Sequence, residues 1–485
     1  MVIGLYTSRV VLAQLGVTDF GIYNVVGGVV SLFAVLNSAM ASSTQRYLTY
    51  ELGKKDLNKV NIVFNTGVQI HLLIAIVVIL LIETLGLWFL NHEMKIPADR
   101  MDAAHWVFQF SVLSMAITFL NVPYTALIIA YEKMSAFAYI SIVEVLLKLG
   151  IAFLLVVSPF EKLKFYAVLT FICPVIIRIC YWAYCRKHFD VSRLRKIFVP
   201  KLFKEMTSFA GWGLFGQLAA MGATQGVNVL LNIFFGPVIN AARGIAVQVQ
   251  AAVAQFAFNF QTAVNPQITK SYASSNFSEM HELMCRSSKF SFFLLLALGL
   301  PIMIEAPFIL RIWLTEVPEY TVTFIRIILW ITIIDSVANP LMVAAAASGK
   351  IKVYQSVVGG LLLAIIPISY IVLKLGGNPT SVFIVHLAIC ALAFITRLYI
   401  VAPLTHLSPS LFLKKVIIKC TYVTVISLIV PFLMLILTEE SIAMNISVML
   451  ITLLSVIVSA YYLGLDYQEK RYLKELIAKI RRKSA

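Results

Sequence analysis

Leu15–Lys55 reads LGVTDFGIYNVVGGVVSLFAVLNSAMASSTQRYLTYELGKK. It opens on a tight turn, Leu15 to Gly21, and continues as an apolar run of about 24 residues, long enough for a helix to cross a bilayer. It closes on Gln45-Arg46 and a charged loop. A helix that met only lipid would be apolar all round. Here Asn24, Gly28, Ser31, Ser38, Ser42 and Gln45 recur at spacings of three, four or seven and share one helical face. Unpaired polar groups are costly in hydrocarbon, so this face meets protein or water. Two readings follow: close packing through small residues, or the wall of a solvated cavity.

The rest of the chain has the same character. Its 485 residues are 60% hydrophobic and 13% charged, with a mean hydropathy of +0.90; soluble domains carry about 25% charged residues. The composition is that of an all-α polytopic membrane protein. Lys and Arg outnumber Asp and Glu by 39 to 23, a net +16, which the positive-inside rule explains without nucleic acid. The six cysteines have no metal-site spacing and imply no disulfide framework. No cleavable signal pattern is present, and the first span serves for insertion.

Length and flanking charge predict 14 spans, at about 1–15, 20–44, 62–90, 104–131, 135–157, 164–185, 206–235, 239–265, 288–312, 322–347, 352–374, 381–402, 416–437 and 442–463. The first would rise only about 22 Å, short of a hydrocarbon core of about 30 Å. With the N-terminus inside, 28 Lys and Arg fall in inner segments and 6 in outer loops. That bias predicts both termini in the cytoplasm. Beyond Leu463, Leu473, Leu476, Ile477 and Ile480 form one face of a basic amphipathic tail suited to an anionic leaflet.

The chain also repeats weakly. Asn121-Val-Pro123 and Lys133 match Asn339-Pro340 and Lys350 at an offset of 217, and Gly16 matches Gly236 at 220. Spans 1–6 therefore correspond to spans 7–12 as parallel repeats. The predicted organisation is an N-terminal six-helix lobe at 1–190, a cytoplasmic linker at 191–205, a C-terminal six-helix lobe at 206–405, helices 13 and 14 at 411–464, and a basic cytoplasmic tail at 465–485. Polar stripes recur on the paired helices: Gln217, Thr224, Gln225, Asn228 and Asn232 on span 7, and Asn240, Gly244, Gln248, Gln255, Asn259 and Thr262 on span 8. With Thr7, Ser8, Arg9 and Gln14 on span 1 and the stripe on span 2, four polar helices placed symmetrically argue for a central water-filled cleft between two bundles.

Catalytic motifs are absent: no P-loop, no H-E-x-x-H, no Asp-x-Asp pair. The reading is not an enzyme, and no cofactor or metal is called for. Intramembrane charges carry the functional signal. Arg9 lies seven residues before Gly16 and Arg243 seven after Gly236, so both are expected about 10 Å below the outer surface. Arginine's planar fork suits a phosphate held between the lobes; snorkelling to the interface is the bland alternative. Asn24, Gln248, Gln255 and Asn259 are expected to line that cleft. Arg46 is either a positive-inside anchor or a further substrate contact. Lys148 lies near the midplane with Glu144 one turn away, so that pair can neutralise itself. Asp335, with no such neighbour, is the candidate for ion coupling. Pro123 and Pro340 are expected hinges, freeing the carbonyls of Phe119 and Ser336.

The opening LYTSRVVLAQLGVTDFGIYNVVGGVVSLFAVLNSAMASSTQRYLTYELGKKD resembles that of bacterial polysaccharide-biosynthesis membrane proteins of the O-antigen flippase type, within the multidrug/oligosaccharidyl-lipid/polysaccharide exporter superfamily that includes the MATE exporters. The resemblance extends over the chain as two six-helix lobes and two extra helices, a MATE-like fold. It implies export of undecaprenyl-diphosphate-linked oligosaccharide across the bacterial inner membrane by alternating access, for lipopolysaccharide or other polysaccharide biosynthesis. Partners so implied are the lipid-linked oligosaccharide, the bilayer, and a polysaccharide polymerase and glycosyltransferases. Relatives in the lipid II branch use basic cavity residues, and Ser8-Arg9 matches such a position. Members usually carry more residues before the first span. The rival reading is a MATE-like cation-coupled multidrug antiporter, which calls for an acidic, aromatic-lined cavity. A membrane glycosyltransferase or polymerase is disfavoured by the lack of a large outer loop.

Overall fold

The computed structural model describes residues 2–31, 33–94, 96–195, 197–314, 316–437 and 441–471, and among them no strand occurs. By packing the chain divides into two units, Met1–Gln217 and Leu218–Ala485. The division falls inside a helix rather than in the charged stretch 191–205. The first unit contains α1 (Val2–Ser31), α2 (Ala34–Gly53), α3 (Leu57–Leu81), α4 (Leu87–His92), α5 (Met101–Ala130), α6 (Met134–Val157), α7 (Lys162–His188) and the first half of α8 (Pro200–Phe235). The second holds the rest of α8 with α9 (Pro237–Ala273), α10 (Phe277–Ile304), α11 (Ala306–Trp313), α12 (Thr321–Ser348), α13 (Ile351–Leu363), α14 (Ile365–Lys374), α15 (Pro379–Thr405), α16 (Pro409–Phe412), α17 (Ile418–Leu437) and α18 (Ile442–Ser459).

Among the described residues, 11 helices are long and apolar enough to cross a membrane, or up to 12 if the bent pair Arg9–Gly16 and Thr18–Gly28 counts as one span. The helices α2 and α9, which carry polar stripes, are not among those 11. Length and composition thus support 11 or 12 of the expected 14 spans among the described residues. The amphipathic tail lies beyond Arg471, outside the described residues.

The deciding stretch folds differently from its expected single span. Helix α1 bends by 118° at Gly16, whose φ of 77° and ψ of 169° only glycine adopts without strain. A break separates Ser31 from Ala34, and α2 then runs through Gln45-Arg46 to Gly53. Nothing from Gln45 to Leu52 breaks a helix; the stop comes where Lys55 turns left-handed and the Asp56 carboxylate accepts from Lys59 N–H to cap α3.

The internal repeat is written in the backbone. Gly16 and Gly236 share φ 77°, and Lys55 and Ser275 share φ 59°, each pair 220 residues apart. Glu132 and Gly349 are also left-handed, 217 apart. Asp56 and Asn276 cap α3 and α10 alike, each accepting from the N–H three residues on. Helices α3 and α10 are therefore repeat equivalents.

Both equivalents use one face to hold a later segment of their own unit. On α3, Asn61, Asn65 and Gln69 are four residues apart. Asn61 donates to the carbonyls of Val191 and Arg193 at 2.7 and 3.0 Å, Asn65 Oδ1 accepts from Arg195 N–H at 2.7 Å, and Gln69 donates to Ile197 O at 2.7 Å. The stretch after α7 is thus bound to the first unit. The matching positions on α10 are His281, Cys285 and Lys289. His281 bonds Thr405 O at 2.8 Å. Lys289, 1% exposed, reaches Glu469 at 2.7 Å and Asp466 at 3.2 Å. Lys419 of α17 also pairs with Asp466. Phe412, Cys420, Val423 and Val456 join the same core as Leu296 and Phe324, so α17 and α18 are built into the second unit.

Neither expected hinge breaks its helix: α5 and α12 run on through Pro123 and Pro340. The Ser336 carbonyl, which Pro340 leaves without its helical donor, accepts from buried Gln261 Nε2 of α9 at 2.8 Å. Ser288 Oγ donates to the next carbonyl, Val337 O, at 2.9 Å.

Candidate functional site

Four helices of the first unit each turn one polar face inward. On α5, Thr118, Asn121 and Thr125 stand three and four residues apart; on α6, Glu144, Lys148 and Ile151 do the same; on α7, Tyr166, Thr170, Cys173, Ile177 and Tyr181 form one stripe. With Thr7, Phe20, Tyr23 and Asn24 of α1 they enclose a cavity of about 530 Å³. Lys148 is the fifteenth residue of the 24-residue α6, so its level is near the middle of a span rather than at a mouth.

Glu144 and Lys148 are the charged residues among those lining this cavity. Lys148 Nζ donates to Glu144 Oε1 at 2.6 Å. Glutamate four residues before lysine is the favourable order on a helix. The side chains stay 41% and 59% exposed; the pair is a feature of the cavity wall, not of a packed core. Tyr23 meets Tyr166 edge-on, ring centroids 4.8 Å apart. The wall thus presents hydroxyls, amides, one cation and one anion.

Of the residues singled out in the sequence, Asn24 and Lys148 meet here. Asn24 also donates to Phe20 O at 2.8 Å. The Leu15–Lys55 stripe divides between its two readings. Asn24 faces the cavity, whereas Ser38 hydrogen-bonds Gln217 of α8, and Ser43 donates to Met206 O at 2.9 Å, both within the first unit. The side chain of Ser31 lies outside the described residues. Arg9 is exposed on α1. Arg46 lies among rings, its guanidinium 4.5, 4.7 and 5.6 Å from the centroids of Tyr47, Tyr50 and Phe209.

In the second unit Arg243 is 9% exposed. It donates to Asn228 Oδ1 at 3.1 Å and to Thr224 O at 2.8 Å, both on α8. Gln248 is exposed, and Gln255 donates to Asn259 Oδ1 at 2.9 Å. Asp335 is not the lone acid its neighbours in sequence imply. Arg397 Nη1 of α15 donates to it at 2.9 Å, from a side chain only 13% exposed. Arg397 is thus a helix residue held in an ion pair. The partner stands 62 residues away, beyond any local spacing rule.

Sequence reasoning missed Thr118, Thr125, Tyr23, Tyr166 and Thr170. The signal for the first two was present: a three-four polar spacing around Asn121 in an apolar helix, the same pattern that marked Leu15–Lys55.

Residues 1–154 match the family model MatE. A search of curated proteins finds no match. Among solved structures, an outward-facing multidrug resistance MATE family transporter of the MOP superfamily superposes with a TM-score of 0.66 at 15% identity, covering 83% of this chain and 94% of that one. A MOP superfamily transporter from Pyrococcus furiosus, described as having a binding pocket of reverse polarity, gives 0.65 at 14%, covering 83% and 94%. MATE in a bent conformation gives 0.66 at 14%, covering 82% and 96%. At such identities the likeness is one of fold, and the fold of this chain is MATE-like.

Proposed function

We propose that the chain is a multi-pass membrane transporter that moves a drug-sized organic molecule by alternating access, with the first-unit cavity as a binding site. The observation that carries this is a polar, charged, mid-span cavity inside an apolar helical protein, where intramembrane ionisable groups mark substrate and ion pathways. The MatE match and the MATE structures favour the cation-coupled exporter reading. In it, Glu144 and Asp335 are the candidate coupling carboxylates, and Pro123 and Pro340 the hinges. Fourteen spans in two six-helix lobes plus two, and cytoplasmic termini in a bacterial inner membrane, belong to the same proposal.

The second reading is export of a lipid-linked oligosaccharide. It draws on the opening motif, on the hydroxyl and amide lining, and on the basic residues Arg9, Arg46, Lys148 and Arg243. Polysaccharide polymerase and glycosyltransferases are the partners in that case.

Reconstituted vesicles separate the two. Gradient-driven ethidium flux under an imposed proton or sodium gradient, reduced at least about tenfold by Glu144→Gln, is the result expected of the exporter. Loss of surface glycan on gene deletion, with no ethidium flux in vesicles, would replace it with the glycan reading. Neither effect would end the transporter reading.

A further inference from the structure

The ion pair in the cavity restricts what can bind there. Glu144 and Lys148 neutralise each other at 2.6 Å, and among the described residues no other charged one lines the space of about 530 Å³. Their neighbours are neutral donors and acceptors: Asn121 and Thr125 of α5, and Tyr181 and Thr170 of α7. A ligand with one net charge can bond one member of the pair through its spare donors or acceptors, but it brings a charge that nothing else in the neutral pair balances. That adds one uncompensated charge at mid-span, where a lone charge costs free energy. A ligand with one positive and one negative group can satisfy both at once. Its anion takes Lys148, its cation takes Glu144, and the charge in the cavity is unchanged. The two side chains stem from positions one turn apart, about 6 Å along the helix, so both ends of a compact zwitterion are within their reach.

We infer that the first-unit cavity selects zwitterionic ligands, an ammonium and a carboxylate on one small organic body, by exchange with the Glu144–Lys148 pair. This rests on the proposal that the cavity is a binding site of a transporter. It does not depend on whether a drug or a glycan is the cargo of the whole protein.

Three dansyl probes of one reporter group test it on the full chain in detergent: dansyl-lysine with a free α-amino acid group, dansylcadaverine with only the ammonium, and dansylglycine with only the carboxylate. Fluorescence titration is expected to show dansyl-lysine binding about tenfold tighter than either, the weight of one charge-assisted hydrogen bond in a half-exposed site. Glu144→Gln leaves Lys148 unpaired and should move the preference to dansylglycine. Lys148→Gln should move it to dansylcadaverine. The double variant should bind all three alike. Because each single variant gains affinity for one probe, loss of folding cannot imitate the result. Equal affinities in the wild type, no binding of any probe, or variants that leave the order unchanged would each overturn the inference. Binding with this order, but with neither ethidium flux in vesicles nor glycan loss on gene deletion, would instead end the transporter reading and leave the selectivity of the cavity standing.

Discussion

Helices α3 and α10 occupy equivalent places in the two repeats and do the same task by opposite means. Each starts at an Asx cap after a left-handed residue, and each presents positions four apart to a later segment of its own unit. On α3 those positions are the amides Asn61, Asn65 and Gln69, which read main-chain groups between Val191 and Ile197. On α10 they are His281, Cys285 and Lys289, and the lysine is matched by carboxylates arriving from beyond α18. An amide can be satisfied by any backbone that passes. A buried ammonium requires carboxylates, and Asp466 and Glu469 supply them. The repeat conserves the scaffold and lets the chemistry of the contact diverge.

The comparison breaks most visibly at Lys289. Lys289→Met should cost about 3 kcal/mol, because it leaves the Glu469 carboxylate buried without its cation. Adding Glu469→Gln should recover part of that, since the loss is of compensation rather than of a contact. Denaturation midpoints in detergent measure both. Full additivity of the two changes would show that they do not act on one ion pair.

An amide in the second unit tests whether charge, rather than the unit, makes the difference. Gln261 is buried and donates to Ser291 Oγ and to the Ser336 carbonyl. Gln261→Leu should cost about 2 kcal/mol, the price of an unsatisfied buried carbonyl. With Pro340→Ala, position 340 regains an N–H for Ser336 O, and the cost of Gln261→Leu should fall. An unchanged cost would assign Gln261 to packing alone.

The neutral face should be milder. Asn61→Ala removes two hydrogen bonds to carbonyls and should cost about 1 kcal/mol. Proteolysis between Arg193 and Ile197 should accelerate. If Asn61→Ala proves as damaging as Lys289→Met, the contrast between amide and ion fails.

The smallest effect is one of pH. Burial alone would push the Asp466 carboxyl up, but hydrogen bonds and charge from Lys419 and Lys289 outweigh it and hold it below its usual value. A carboxylate held low in the fold stabilises above its unfolded value of about 4 and loses that contribution as pH falls through the folded one. Hydrogen exchange at Asp466 N–H, which donates to Glu469 at 2.8 Å, should be flat from neutral pH down to about 4, after allowing for intrinsic rates, and rise below. A rise near neutral pH would put the control in a group other than Asp466.

Much of this was open to reading along the chain because it is local. The Gly16 and Gly236 turns follow from glycine's access to positive φ, and the 217 and 220 offsets reappear as matched dihedrals. The Glu144–Lys148 pair is an i,i+4 neighbour relation that helix geometry enforces. The end of α2 was misplaced because a charge, Arg46, was taken for a boundary, whereas helices stop at residues that cannot continue them, here at Gly53 and the left-handed Lys55.

Composition and periodicity along the chain determined a multi-pass membrane protein with an internal repeat, and polar residues on particular helical faces. Only the tertiary structure decided what each face meets. Asp335 acquires Arg397 from 62 residues away, Lys289 its acids from 177 and 180, and Lys148 its place in a cavity closed by four helices. The reason is one of range. Backbone dihedrals and the 3.6-residue turn act over a few residues and are carried by the residues themselves. The partner of a buried charge is set by which faces pack together, and that choice belongs to the whole unit at once.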